Sequence, residues 1–250
     1  SFRTKFIKES KYVNGIEVVG ICSFEQNNDP DCEGVLFTDD YNKLLNKVDA
    51  VYVVSKPEDH YNDTKRALLL GKHVLCESPI SLKKEECDEL YNLAKEKNLI
   101  LMDAIKTAYS TAYKRLVLLA KSGKIGKVIS VDSVCTSLRD GISITGTDLS
   151  KKWNSMCDWA PVALLPIFQI LGSEYRSKTI TTKFLDKSTN MDAFTKIDFI
   201  YKDAVASAKV AKAAKSEGQL IVTGTKGYIY VPAPWWKTDY FEVRYENQED

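Results

Sequence analysis

The pattern that most narrows the possible folds is in the first hundred residues, where short apolar, β-branched runs recur with helical segments between them. Residues 15–22, 49–55, 72–77 and 98–103 are such runs. Each is near-continuously apolar, as expected for strands buried on both faces of a parallel sheet. Residues 60–70 read as a helix closed by Gly71, and the next strand begins at once. Ser81 can cap a helix over 82–97 in which Cys87, Leu90, Tyr91 and Ala94 share one face. Strands and helices alternating at this spacing imply βαβ crossovers and a parallel sheet.

The pattern changes after about Asp103. Residues 111–122 read as a helix closed by Gly123, and 127–138 as a long strand. Residues 160–171 form a helix with Pro161 in its first turn and Pro166 bending it. From Ile180 onward strands predominate, over 193–201, 204–212, 218–224 and 228–231, which predicts an antiparallel meander with one helix behind it. The expectation is α/β: a Rossmann-type domain over 1–104, then an α+β substrate and dimerisation domain over 105–250 with a large, mostly antiparallel open sheet.

Two features sit awkwardly with a dinucleotide-binding sheet. The chain opens on a helix-like stretch, 2–11, where a central first strand and its Gly-rich turn belong, and no GxGxxG occurs. Only about a dozen residues separate Ser23 from the strand-like run near Val35, too few for a crossover helix. The expectation is a subset of a longer polypeptide, lacking the first strand and some loops. Bulk properties exclude other classes. Lys plus Arg number 35 against 34 Asp plus Glu, leaving no basic excess for a nucleic-acid backbone. No apolar run approaches the roughly 18 residues of a membrane span, and 1–6 carry no signal-peptide core. Six scattered cysteines without a CxxC read as reduced cytoplasmic thiols and make a metal site improbable.

Three motifs carry a resemblance. Val53-Val-Ser-Lys-Pro57-Glu-Asp-His60 is a strand end followed by a Pro-containing loop and a His; Gly71-Lys-His-Val-Leu-Cys-Glu77-Ser78-Pro79 resembles G-K-H-V-x-x-E-K-P; and Ser122-Gly-Lys-Ile-Gly126 precedes a strand. Together, in this order, they resemble the Gfo/Idh/MocA family of NAD(P)-dependent oxidoreductases, which act mostly on sugars and cyclitols. The stretch 154–172 resembles, more loosely, the family helix with a D-x-x-x-H pattern. In an open parallel sheet, ligands bind beyond the carboxyl ends of the strands. The resemblance implies cofactor contacts at Ser23, Ser55, Pro57, His60, Glu77, Ser78 and Trp153, with NAD or NADP as cofactor. Ser23 stands where the family commonly has an acidic residue. A neutral side chain eases acceptance of a 2′-phosphate, but no Arg follows to grip one.

The family's catalytic pattern is where the sequence departs. Ser78 stands in place of the Lys of E-K-P, and Val162 in place of the His four residues after Asp158. One positioned acid–base group typically contributes 10²–10⁴-fold in rate, so losing two could silence the ordinary reaction. Two rescues are conceivable: Lys106, after the strand ending at Asp103, could supply an ammonium, and Asp158 could act as base if burial raises its pKa. Plainer readings stand beside these. His60 could be a surface or capping residue, His73 a structural contact, Glu77 a partner for backbone donors, Ser78 a capping or packing group, and Asp158 a helix N-cap. Trp235-Trp236 could be a sugar-stacking platform or a packed rim. The Lys run 209, 212 and 215 is most simply a solvated strand face.

Two functions follow from the resemblance. One is an oxidoreductase moving hydride between NAD(P) and a sugar-like polyol, with its site in the cleft between the domains. The other is a catalytically silent binding or scaffold member. Expected partners are a small sugar-like substrate and a second copy joined through the open sheet, with a cytidylyltransferase neighbour or fusion as a further possibility; nucleic acid and membrane are not expected.

Overall fold

The structure, a computed structural model, describes residues 2–23, 30–138 and 153–247. The chain divides into two compact units, Ser1–Ala104 and Ile105–Asp250.

In the first unit, helix α1 (Phe2–Ser10) buries Ile7 and precedes strand β1 (Gly20–Cys22), which pairs in parallel with β2 (Leu36–Thr38). A three-ten turn at Pro30–Cys32 lies in the connection where the sequence allows no crossover helix. Residues 24–29 of that connection lie outside the described residues. Helix α2 (Tyr41–Leu45) is capped by Asp40, whose Oδ1 accepts from Asn42 N at 2.9 Å and Lys43 N at 3.2 Å. A side chain at Gly20 would meet Leu44 Cδ1 at 2.6 Å, so glycine is what lets α2 lie on β1.

Strands β3 (Ala50–Val53), β4 (His73–Cys76) and β5 (Leu101–Asp103) form a separate parallel sheet in that order. Helices α3 (His60–Leu69) and α4 (Lys84–Glu96) connect them and pack on one another. Val53, Ala67, Leu68, Val74, Cys76, Leu90 and Ala94 make the core. The parallel strands were expected in one sheet; they form two, because no described strand joins β1 to β3. The helix expected from 82 begins at Lys84: Ser81 does not cap it but braces the preceding turn, accepting from Lys83 N at 3.1 Å and donating to Glu86 at 2.6 Å. Tyr91, placed on the buried face by spacing, is exposed.

The second unit opens with α5 (Lys106–Tyr109) and α6 (Thr111–Lys121), the latter capped by Ser110. Then come β6 (Val128–Thr136), α7 (Ser155–Leu171), β7 (Ser177–Asp186), β8 (Met191–Ile200), β9 (Val205–Ala211), β10 (Leu220–Gly224), β11 (Gly227–Val231) and β12 (Glu242–Tyr245). The sheet runs β12-β11-β10-β6-β9-β8-β7. It is antiparallel except that β6 runs parallel to β9. The expected simple meander is therefore interrupted. Helix α7 carries the chain from the central β6 to the edge at β7, the meander returns to β9, and β10 docks on the far side of β6. The strand at β12 was not anticipated.

Helix α7 packs on β6, β8 and β9. Alternate residues beneath the helices, among them Val131, Ile197, Phe199, Ala206, Ala208 and Val222, are buried in the main core. The intervening ones, including Lys196, Asp198, Ile200, Val205, Ser207 and Tyr230, point from the opposite face. The helix is longer than expected because it begins at Ser155 rather than Ala160, which moves Pro161 from the first turn into the interior beside Pro166. Its apolar burial outweighs the hydrogen bonds they remove. Gly126, the last residue of the Ser122–Gly126 motif, has φ 77°, and a Cβ there would sit 2.2 Å from Thr225 Oγ1. Thr225 holds this entry to β6 by accepting from Lys127 N at 3.0 Å.

Candidate functional site

The exits of β3, β4 and β5 are tied to one another by side chains. Beyond β3, Ser55 donates from Oγ to Asp63 Oδ2 at 2.6 Å. His60, at the start of α3, reaches back so that Nε2 lies 2.9 Å from the Ser55 carbonyl, while Nδ1 lies 2.8 Å from the carbonyl of Pro79. Both contacts are to carbonyls, which only accept, so a ring nitrogen that carries a proton donates to the carbonyl it faces. Only 1% of His60 is exposed, which removes the surface and capping readings. It fastens the turn after β3 to the turn after β4.

Glu77 and Ser78 follow β4, and the Ser78–Pro79 peptide is cis. Glu77 N donates to Val53 O at 2.9 Å, and its carboxylate accepts from the Tyr52 hydroxyl rather than from backbone donors. Burial first, then that carboxylate, push the Tyr52 phenol well above its ordinary value. Ser78 Oγ donates to Asp103 Oδ2 at 3.1 Å, across the exits of β4 and β5. Burial likewise pushes the Cys76 thiol up to about 12. These turns bring together Ser55, His60, Ser78 and Asp103, with Glu77 beside Ser78 and Pro57 in the turn between Ser55 and His60. Ser23 follows β1 in its separate small sheet, donating from N to Thr38 O at 2.9 Å. Sequence reasoning did not single out Tyr52 or Asp63. Both follow from strand periodicity and from the i+3 position after His60.

Lys106, Trp153 and Asp158 belong to the second unit. Lys106 is the first residue of α5. Asp158 is not an N-cap: Asn154 caps α7, its Oδ1 accepting from Cys157 N at 3.0 Å, and Asp158 lies in the first turn. Nor is Asp158 buried, since its side chain is 38% exposed and bound to the Lys212 ammonium, whose own side chain is only 4% exposed. Lys212 also donates to Trp153 O at 3.0 Å. The solvated face expected for the lysine run therefore fails at Lys212. A spacing of three within a strand puts Lys209 and Lys212 on opposite faces, the signal that would have found it.

Asp192, 2% exposed, accepts from Ser155 N at 2.7 Å, from Thr195 Oγ1 at 2.7 Å and from Ser155 Oγ. Cys157 lies in this cluster. Burial chiefly, then Asp158 and Asp192, push its thiol up to about 11. Trp235 is buried with Nε1 donating to Val134 O at 3.2 Å, and Trp236 packs edge-on against Trp159, so the pair is a packed rim rather than a stacking platform.

Carboxylates, hydroxyls and peptide carbonyls are gathered at the carboxyl ends of three parallel strands, the edge at which open α/β sheets bind ligands. Among the described residues, no strand runs into closely spaced glycines at a helix N-terminus, the usual place for a pyrophosphate. Nor does any group of three or more His, Cys, Asp or Glu among them suit a metal ion, and none of their helices is long and apolar enough to cross a membrane.

Residues 2–104 match the GFO_IDH_MocA family, described as an oxidoreductase family with an NAD-binding Rossmann fold. An uncharacterized oxidoreductase of Synechocystis sp. is 38% identical over 88 residues, covering 34% of this chain and 24% of the relative. The NADP(+)-dependent D-xylose 1-dehydrogenase of Hypocrea jecorina is 25% identical over 224 residues, 81% of this chain and 57% of the relative. The chain thus spans between a quarter and three fifths of the length of these curated relatives. The crystal structure of an NAD-binding protein from Listeria innocua superposes with a TM-score of 0.80 at 19% identity, over 99% of this chain and 72% of that one, a likeness of fold. The tied strand exits lie inside the segment 2–104 that matches the NAD-binding Rossmann fold of the Gfo/Idh/MocA oxidoreductase family.

Proposed function

We propose that the protein is an NAD(P)-dependent oxidoreductase that moves hydride to or from a sugar or polyol. The observation that carries this is the tying of the β3, β4 and β5 exits through His60 and the Ser78–Asp103 bond, inside the segment that matches an NAD-binding family. Ser55, Pro57, His60, Glu77 and Ser78 would hold the nicotinamide half, with Ser23 and Trp153 as further contacts. The coenzyme supplies a two-electron hydride acceptor or donor. For the chain's own part, His60 fixes the turns that line the ring, Glu77 accepts from hydroxyls, and Lys106 is the candidate for handling the substrate hydroxyl proton, since Asp158 is exposed and paired with Lys212 rather than buried. A sugar-like substrate fits the polar character of these groups and the activity named for the xylose relative.

A second reading is a member that binds nucleotide without turnover. It is favoured by the chemistry at two positions: Ser78 offers a neutral hydroxyl already engaged by Asp103, and Val162 offers no titratable group four residues after Asp158. We further propose a cytoplasmic homodimer joined through the open sheet face, where Ile200 is 53% and Val205 50% exposed. Titration of NADH and NADPH by fluorescence, followed by a turnover screen over sugars and inositols, tests the primary reading. Binding with turnover supports it, binding alone selects the silent reading, and failure to bind either nucleotide overturns both.

A further inference from the structure

We propose that Asn14, in the exposed turn between α1 and β1, is a site of spontaneous deamidation, converted by its own main chain and solvent water to aspartate and isoaspartate. The starting point is a demand of the backbone. After α1 the chain turns through residues 11–15, and Gly15 closes that turn at φ 82°, a left-handed conformation that glycine adopts without steric cost. The residue that suits the turn also leaves its main-chain nitrogen the least shielded. Glycine has no Cβ, and nothing lies within 4 Å of where one would stand. Asn14-Gly15 is the one Asn-Gly pair in the sequence.

The surroundings leave both reacting groups available. Every residue from 11 to 17 is exposed, so water reaches the turn. Among the described residues, neither the Gly15 nitrogen nor the Asn14 side chain is held by a hydrogen bond. At three other asparagines the following nitrogen is occupied. After Asn62, Asp63 N donates to Asp59 O at 3.0 Å, and after Asn98, Leu99 N donates to Ala94 O at 2.8 Å. After Asn154, Ser155 N donates to Asp192 Oδ1 at 2.7 Å, and the Asn154 amide is itself bonded through both Oδ1 and Nδ2.

The reaction needs only water and balances without any redox change. Solvent hydroxide takes the Gly15 N–H proton, and the nitrogen attacks Asn14 Cγ. The new N–Cγ bond forms as the Cγ–Nδ2 bond breaks, and ammonia leaves with a proton from solvent. Water then opens the cyclic imide. Attack at Cγ gives aspartate, and attack at the main-chain carbonyl carbon gives isoaspartate, whose chain runs through Cγ and is longer by a methylene. Either product adds one carboxylate two residues before Ile16-Glu17 and lowers the net charge of +1 by one. The contacts that seat α1, buried Ile7 and the Phe6 ring against Tyr52, lie outside the turn, so the modified chain stays folded.

The test incubates the wild-type protein, Asn14→Gln and a synthetic peptide of residues 10–17 in parallel, at body temperature and mildly alkaline pH over days. Cleavage after glutamate releases 10–17 from the protein, with Asn14 as its sole asparagine. Its mass reports conversion of amide to acid, and carboxyl methylation by an isoaspartate methyltransferase reports the isomer. Both products are expected in the wild type, forming faster as pH rises. Neither is expected in Asn14→Gln, whose longer side chain must close a larger ring. A hydrogen bond held by the attacking nitrogen would slow the step by up to about tenfold, which sets the dividing line. A wild-type rate within about tenfold of the peptide's supports the inference, and a slower one overturns it, because the fold then restrains the turn. Acid without isoaspartate overturns it as well, as does equal conversion at Asn62, Asn98 or Asn154.

Discussion

His60 concentrates two jobs in one ring, and its removal has a definite cost. Each carbonyl it reaches, Ser55 O and Pro79 O, loses its partner in His60→Leu, at roughly 1–3 kcal/mol per unsatisfied buried acceptor. The expected loss is about 2–4 kcal/mol in urea unfolding of the first unit, with nucleotide affinity falling about tenfold. Cys157 gives a second, pH-dependent prediction. Its thiol titrates near 9 when unfolded and at about 11 when folded. Below pH 9 both states are protonated and nothing changes. As pH rises from 9 towards 11 the unfolded chain releases its proton first, so stability is lost, by at most about 1.4 kcal/mol per pH unit. Cys157→Ala should flatten that part of the wild-type stability curve, measured as the difference between the two proteins.

Helix α7 begins over a buried carboxylate that no local pattern announces. Asp192→Ala strands one peptide N–H and two hydroxyls, and about 2–4 kcal/mol of stability should go with them. Asn154→Ala should cost only about 1 kcal/mol, the usual worth of a cap. Chemical denaturation of the two variants side by side distinguishes the roles; equal losses would contradict the assignment. What was legible in the sequence at this scale was local. α3 and its stop at Gly71, α6, and the strand at β4 are written in periodicity and turn chemistry. Asp192, 37 residues from Ser155, and Lys212, 54 from Asp158, are not, because their partners exist only once β8, β9 and α7 pack. The same holds for Tyr52, whose strand position was plain while its bond to Glu77 depends on the pairing of β3 with β4.

For the whole molecule, the α/β class and the mostly antiparallel open sheet were readable from element types and order. Strand pairing was not, since periodicity says which face a residue takes and nothing about its neighbours. The exposed face of that sheet yields the last prediction. Val205 and Ile200 are directly opposed across β8 and β9, so Ile200→Lys with Val205→Lys should split the proposed dimer while leaving the fold intact. Light scattering after size exclusion reads this directly, and a wild type that is monomeric at micromolar concentration overturns the dimer.

The position of β6 has a bearing on synthesis. It is the earliest strand of its sheet to leave the ribosome, yet both its neighbours, β9 and β10, are translated much later; Asp132 waits for Ser207, 75 residues on. Until then the two strands that flank it in the folded sheet do not yet exist, and that interval is when a nascent chain is most exposed to wrong partners and to chaperones.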